Sequence, residues 1–173
     1  MLAAIARAYA ATAPAVSLTN PGVASGGGTV SPDPANTSCD ASFGLNSVRP
    51  NSFPSGQAIG RLNYNKNDGC PNAHVNVPIV IKTIEATQTT GPNGTGGSAQ
   101  MAGDCGALNS VCPPGIQSVQ VSVQDNADSG AGSDIFKISF CSGAASPTSF
   151  PTGCGAEEGG LLSTGNIQVR PPP

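Results

Sequence analysis

The sequence has few of the residues from which catalytic, cofactor and nucleic-acid sites are built. It contains no tryptophan, one histidine and only 10% charged residues, with a net charge of −3. A single imidazole argues against a mixed Cys/His metal site, and so few cations form no basic stripe for phosphates. No apolar run approaches the roughly 18 residues that span a bilayer. We therefore expect no enzymatic activity, no cofactor, no nucleic-acid partner and no membrane span.

Glycine and proline are plentiful instead. The 23 glycines and 16 prolines indicate many turns and extended connections. Aromatic residues make up 4% of the chain, so its core must come from Val, Ile, Leu and five Phe. The surface is then mostly Ser, Thr, Asn, Gln and Gly, which is common in extracellular β-proteins and repels other protein surfaces weakly.

The cysteines indicate disulfides in an oxidising compartment. There are six of them, an even number with no C-x-x-C spacing, which disfavours zinc ribbons and thioredoxin-type motifs. Six cysteines allow 15 connectivities, and sequential pairing is the simplest. That pairing joins Cys39 to Cys70, Cys105 to Cys112, and Cys141 to Cys154. The chain-entropy model gives on the order of 9 kcal/mol for the three bridges together, so they should decide whether the protein stays folded.

The clearest structural signal lies between Gly115 and Cys141. Apolar side chains alternate there with polar neighbours at Val119, Val121, Val123, Phe136, Ile138 and Phe140. Period-two alternation on either side of a loop predicts a β-hairpin with one buried face. The other predicted strands are Ala41–Val48, Gly56–Asn65, Ala73–Thr90, Ser98–Asp104 and Leu161–Val169. About seven short strands and no convincing helix predict an all-β fold, an antiparallel sandwich or barrel.

The long strand Ala73–Thr90 carries a break in its pattern. The apolar residues from Val75 to Ile81 share one face, but Ile84 has the opposite parity. One extra residue near Lys82 restores the alternation, so we predict a β-bulge or corner at Lys82–Thr83.

Residues 1–38 read as an N-terminal arm and residues 39–173 as the β-domain. Met1–Ala15 fits a signal remnant or a short helix equally well. Pro14–Ser38 is rich in Gly and Pro and should be extended, docked either on its own domain or on a neighbouring subunit. The residues expected to form a strand inserted into a neighbour are Ala15, Val16, Ser17, Leu18, Thr29 and Val30.

A series of short motifs follows the chain in a fixed order: F-G-L-N, G-R-L-N-Y-N, H-V-N, C-x6-C, V-Q-V-S-V-Q-D-N, D-I-F-K-I-S-F and G-L-L-S-T-G-N-I-Q-V. This series resembles a family of small secreted bacterial β-domains, found in cell-surface and extracellular proteins. The resemblance covers Ala41 to Arg170. The resemblance implies a β-domain with no enzymatic activity. This chain departs from it in the loop over residues 125–134 and in carrying Cys39, Cys70, Cys141 and Cys154.

The loop between the two strands of the predicted hairpin is acidic. Asp125, Asn126, Asp128 and Asp134 are oxygen ligands of the kind that Ca²⁺ prefers, although the EF-hand spacing is absent. Asp and Asn are also ordinary turn residues, and we favour turn chemistry over a calcium site.

The remaining candidates are weaker. His74 has no nucleophile motif to serve and reads as a structural hydrogen-bonding group. Glu157 and Glu158 are neighbours in one loop, which is a poor arrangement for a glycosidase pair. Tyr9 and Tyr64 give little support for a sugar-stacking platform. Two N-glycosylation sequons begin at Asn36 and Asn93.

These observations predict an extracellular or cell-surface structural subunit. It would self-associate through its N-terminal arm into a fibre, a pilus-like filament or a surface layer, with other copies of itself as partners. The alternative is a monomeric adhesive or glycan-binding module of the cell surface. A hydrolase ranks last, because no acid, base or nucleophile constellation can be assembled from these residues.

Overall fold

The computed structural model describes residues 22–33, 38–49, 60–66, 73–88, 95–127, 130–146 and 149–170. Within these ranges, eight antiparallel strands form a closed barrel in which each strand pairs with the next and β8 returns to β1. The strands are β1 (Gly22–Val30), β2 (Ala41–Arg49), β3 (Gly60–Lys66), β4 (His74–Gln88), β5 (Thr95–Asp104), β6 (Ser118–Asp125), β7 (Ile135–Cys141) and β8 (Glu158–Arg170). In the described part of the chain, no helix is long and apolar enough to cross a bilayer.

The predicted all-β, antiparallel class is confirmed, and the sheet closes as a barrel. Each of the seven predicted strands has a counterpart among β2 to β8, with ends that differ by a few residues. The first strand, β1, was not predicted. It lies between β2 and β8, so the barrel begins at Gly22 and not near Cys39.

The location of β1 also corrects the expectation for Thr29 and Val30. Both residues pair within their own barrel, Thr29 with Ser42 of β2 and Val30 with Ala41. The Thr29 hydroxyl contacts the hydroxyl of Thr164 in β8 at 2.8 Å. Neither residue is available as an inserted strand for a neighbour, and the other residues of that prediction, 15–18, lie outside the described residues.

The core follows the predicted alternation. Val119, Val121, Val123, Phe136 and Ile138 are buried, as the hairpin pattern requires, whereas Phe140 is only partly buried. The rings of Phe43 and Phe136 stack with their centroids 4.0 Å apart. Larger side chains from the other strands fill the remaining interior, including Leu62, Tyr64, Ile79, Ile81, Met101, Leu162 and Ile167. With so few aromatic residues, this interior depends on branched aliphatic side chains.

The predicted bulge in β4 is confirmed. The register between β4 and β5 shifts between Ile81 and Thr83, so Ile81 pairs with Met101 and Thr83 with Gln100. Lys82 is the extra residue. The switch of the apolar residues to the opposite face after Ile81 therefore marks a bulge within β4, and the strand continues beyond it.

The two ends of the barrel differ. Disulfides Cys105–Cys112 and Cys141–Cys154 are confirmed, and Cys39 is also disulfide-bonded, while its predicted partner Cys70 lies outside the described residues. These cysteines lie in or beside the loops that follow β1, β5 and β7, which all emerge at one end in an antiparallel barrel. We call it the disulfide end. The opposite end carries the start of β1 and the end of β8, where Val23 pairs with Arg170.

Candidate functional site

The predicted acidic loop joins β6 to β7 and is built around the buried side chain of Asp134. Its Oδ1 accepts hydrogen bonds from the backbone N–H groups of Asn126, at 2.9 Å, and Ala127, at 3.2 Å. Its Oδ2 accepts one from the backbone N–H of Ile167 in β8, at 2.8 Å. One carboxylate therefore closes the loop and attaches it to a strand that is distant in sequence.

Asp125 makes a similar contact with β8. Its Oδ2 accepts a hydrogen bond from the backbone N–H of Val169 at 3.0 Å. β7 pairs with β8 only from Glu158 to Leu161, so the last part of β8 has no ladder partner on that side among the described residues. The two carboxylates accept the hydrogen bonds that a neighbouring strand would otherwise take. We call Asp125, Asp134, Ile167 and Val169 the β8 latch.

The residues of the β8 latch lie in three of the motifs on which the predicted family resemblance is based. Asp125 and Asn126 end the V-Q-V-S-V-Q-D-N motif, Asp134 begins D-I-F-K-I-S-F, and Ile167 lies in G-N-I-Q-V. Asn126 also donates its side-chain amide to the backbone oxygen of Ser133 at 2.8 Å. These motifs, which are far apart in sequence, meet in one hydrogen-bonded structure at the end of the barrel opposite the disulfides.

Three of the four calcium candidates thus take part in hydrogen bonds to the backbone, and Asp128 lies outside the described residues. Across the described ranges, no group of three or more His, Cys, Asp or Glu side chains is arranged to hold a metal ion. Asp125 and Asp134 can be buried because backbone N–H groups donate hydrogen bonds to their carboxylates and so stabilise the negative charge.

A second polar group, the mouth cluster, lies near the disulfide end and consists of Tyr64, Lys66, Phe140 and Glu158. Lys66 Nζ lies 2.7 Å from Glu158 Oε1, and the Tyr64 hydroxyl donates to Glu158 Oε2 at 3.3 Å. Lys66 also lies over the Phe140 ring, 5.7 Å from its centroid. The Lys66 side chain is 9% exposed and that of Glu158 26%, so this ion pair is partly removed from water.

Burial raises the pKa of the Tyr64 phenol far above its ordinary value, and the negative charge of Glu158 adds to the effect. A phenol in this state keeps its proton and donates a hydrogen bond. The mouth cluster is therefore an arrangement that holds β3, β7 and β8 together. Tyr64 is not suited to act as a base at neutral pH.

Alkaline unfolding should depend on Tyr64. Above about pH 10 the unfolded chain loses the phenolic proton while the folded protein retains it, so the free energy of unfolding falls as pH rises. The contribution of this group approaches about 1.4 kcal/mol per pH unit. We expect Tyr64→Phe to remove that slope in urea unfolding measured between pH 8 and 11. Parallel pH profiles for the two proteins would contradict this assignment.

The other candidates are spread over the surface. His74 is exposed at the start of β4. Glu157 pairs with Lys137 at 3.0 Å, while its neighbour Glu158 pairs with Lys66, so the two carboxylates face different lysines. The candidates that lie outside the described residues are Tyr9, Ala15, Val16, Ser17, Leu18, Asn36, Cys70, Asn93 and Asp128.

None of the known protein-family models, curated proteins or solved structures gives a significant match to this chain. The resemblance to small secreted bacterial β-domains therefore stays a prediction. The disulfides of the barrel fit an oxidising environment.

Proposed function

We propose that this protein is an extracellular structural subunit. It self-associates through its N-terminal segment, residues 1–21, into a fibre, a pilus-like filament or a surface layer. Because Thr29 and Val30 are paired inside the barrel, the contact with a neighbouring copy falls to Ala15–Leu18.

The observation that carries this proposal is the difference between the two ends of the barrel. β1 starts at the end opposite the disulfides, so the N-terminal segment leads into the barrel at that end. A contact that joins unlike ends of two copies leaves one free donor and one free acceptor after each step. Such heterologous contacts propagate into a filament unless the rotation closes a ring.

Two further properties support a role in assembly outside the cell. Disulfides constrain the unfolded chain, which is the usual way to stabilise a domain in an oxidising compartment. Charged residues make up only 10% of the chain, so the approach of one copy to another meets little electrostatic repulsion.

Substitutions in Ala15–Leu18 test the proposal. In an extended segment Val16 and Leu18 point to one side and Ser17 to the other. We expect the double variant Val16→Asp/Leu18→Asp to reduce association at least tenfold, because it places two charges at an apolar contact. Ser17→Asp, which adds charge on the opposite side, is the control and should assemble as the original chain does.

The measurement is sedimentation velocity of the full chain, with negative-stain electron microscopy to distinguish fibres, sheets and rings. A wild-type chain that stays monomeric at high concentration would contradict the proposal and favour the monomeric adhesive module. Equal assembly of all three proteins would show that Ala15–Leu18 is not the contact.

A further inference from the structure

We propose that the loop between Cys105 and Cys112 is the surface that receives Ala15–Leu18 of a second copy. This inference rests on the proposed function and names its acceptor site. The loop follows β5 at the disulfide end, opposite the end from which the N-terminal segment leads into β1.

The loop displays apolar side chains to solvent. Among the described residues, the large apolar side chains that are exposed are Leu108 at 86%, Val111 at 46% and Leu161 at 57%. Two of these three lie in this one short loop. Isolated surface hydrophobics are common, but two large ones within one disulfide-closed loop favour a contact surface.

The backbone of the loop is held on both sides. The disulfide joins its two ends, and Val111 exchanges two backbone hydrogen bonds with Asn76 of β4, at 2.8 and 2.9 Å. Arg61 donates to the backbone oxygen of Asn109 at 3.0 Å and to the Asn76 side chain at 2.9 Å. Leu108 is therefore presented from a preorganised backbone, which lowers the entropy cost of binding.

The chemistry of the donor segment suits this surface. The stretch Thr12–Asn20 (TAPAVSLTN) carries no charged residue and includes Val16 and Leu18, two positions apart. The segment brings no charge to the loop. Of the charged groups at the loop, the Arg61 guanidinium already donates to Asn76 and Asn109, and the Asp104 carboxylate accepts a hydrogen bond from the Gly106 N–H. Docking here joins opposite ends of two barrels, as a propagating contact requires.

The test measures binding of a labelled synthetic peptide covering residues 12–20 to the full-length chain carrying Val16→Asp/Leu18→Asp, whose own segment does not compete. Fluorescence anisotropy gives the affinity. We expect Leu108→Ser to weaken binding at least tenfold. Leu161→Ser, which changes an exposed leucine on β8, should leave the affinity within about twofold. Both substitutions are at exposed positions, and thermal unfolding confirms that the barrel is intact.

Each result has a defined meaning. A peptide that does not bind, or that binds the Leu108→Ser and Leu161→Ser proteins equally, overturns the acceptor assignment. If Leu108→Ser also assembles normally while Val16→Asp/Leu18→Asp does not, the proposed function stands and its acceptor lies elsewhere. If the original chain is monomeric, the proposed function fails, whatever the peptide does. If Leu108→Ser impairs both peptide binding and assembly, the inference is supported.

Discussion

Replacement of Asp134 by alanine is expected to lower the free energy of unfolding by about 4 kcal/mol. The carboxylate is fully buried and accepts three backbone hydrogen bonds, including the one from Ile167 that attaches β8 to the β6–β7 loop. Alanine leaves these N–H groups without that acceptor; the contact with Ile167 is buried, and those with Asn126 and Ala127 are partly buried. Each buried donor left unsatisfied costs about 1–3 kcal/mol, and the effects are not fully additive.

Urea unfolding with the disulfides intact measures this loss. Asp104→Ala is the matched control, because Asp104 is only partly buried and its Oδ1 accepts a hydrogen bond from the Gly106 N–H within a local turn, at 2.8 Å. That control should cost less than about 1.5 kcal/mol. Hydrogen exchange adds a local measurement, since the amides of Ile167 and Val169 should lose protection in Asp134→Ala. Equal losses in the two variants would contradict the role of the β8 latch.

Alanine at Gly165 is expected to cost about 3 kcal/mol or more. Gly165 has a φ of +96°, a backbone conformation that residues with a side chain rarely adopt. A Cβ atom there would lie 2.0 Å from the backbone oxygen of Gly27 and 2.5 Å from the Cα of Gly28, both in β1. Backbone atoms of a paired strand cannot move aside independently, so β1 and β8 must separate locally. The pairing between β1 and β8, which closes the barrel, would be weakened.

Gly44 provides the control for that substitution. It lies mid-strand in β2, is exposed, and a Cβ atom at this position would meet nothing within 4 Å. Gly44→Ala should be neutral or stabilising by about 0.5 kcal/mol, because it restricts the unfolded chain. Comparison of the denaturation midpoints of the two variants tests the explanation. A Gly165→Ala protein as stable as Gly44→Ala would show that β1 and β8 are not in such close contact.

Local sequence patterns predicted what depends on nearest neighbours. Alternating residues in β6 and β7 gave the hairpin, and the parity change after Ile81 gave the bulge in β4. Sequential pairing gave the two described disulfides because each joins residues close in sequence. β1 was missed because Gly26–Gly28 carries no side chains to form a pattern. Gly26 and Gly28 are required by the close approach of β8, a contact that no local rule can detect.

The candidate sites show the same limit more strongly. The acidic loop is evident in the sequence, but its role depends on the N–H groups of Ile167 and Val169, which are 33 and 44 positions from the carboxylates they meet. The mouth cluster was missed, since Lys66 and Glu158 are 92 positions apart. Charged side chains in separate strands acquire a partner only when the barrel closes. The sequence shows the residues, whereas the register between strands decides which of them meet.

The pairing of Val23 with Arg170 has a consequence for the way this barrel can be combined with other proteins. Its entry and exit strands are adjacent, so the whole unit can be spliced into a surface turn of a host protein as a cassette, with little disturbance of the host backbone. The same adjacency permits circular permutation, in which a short linker joins the two strands and new termini are opened in another loop. A module with this geometry is suited to recombination between genes.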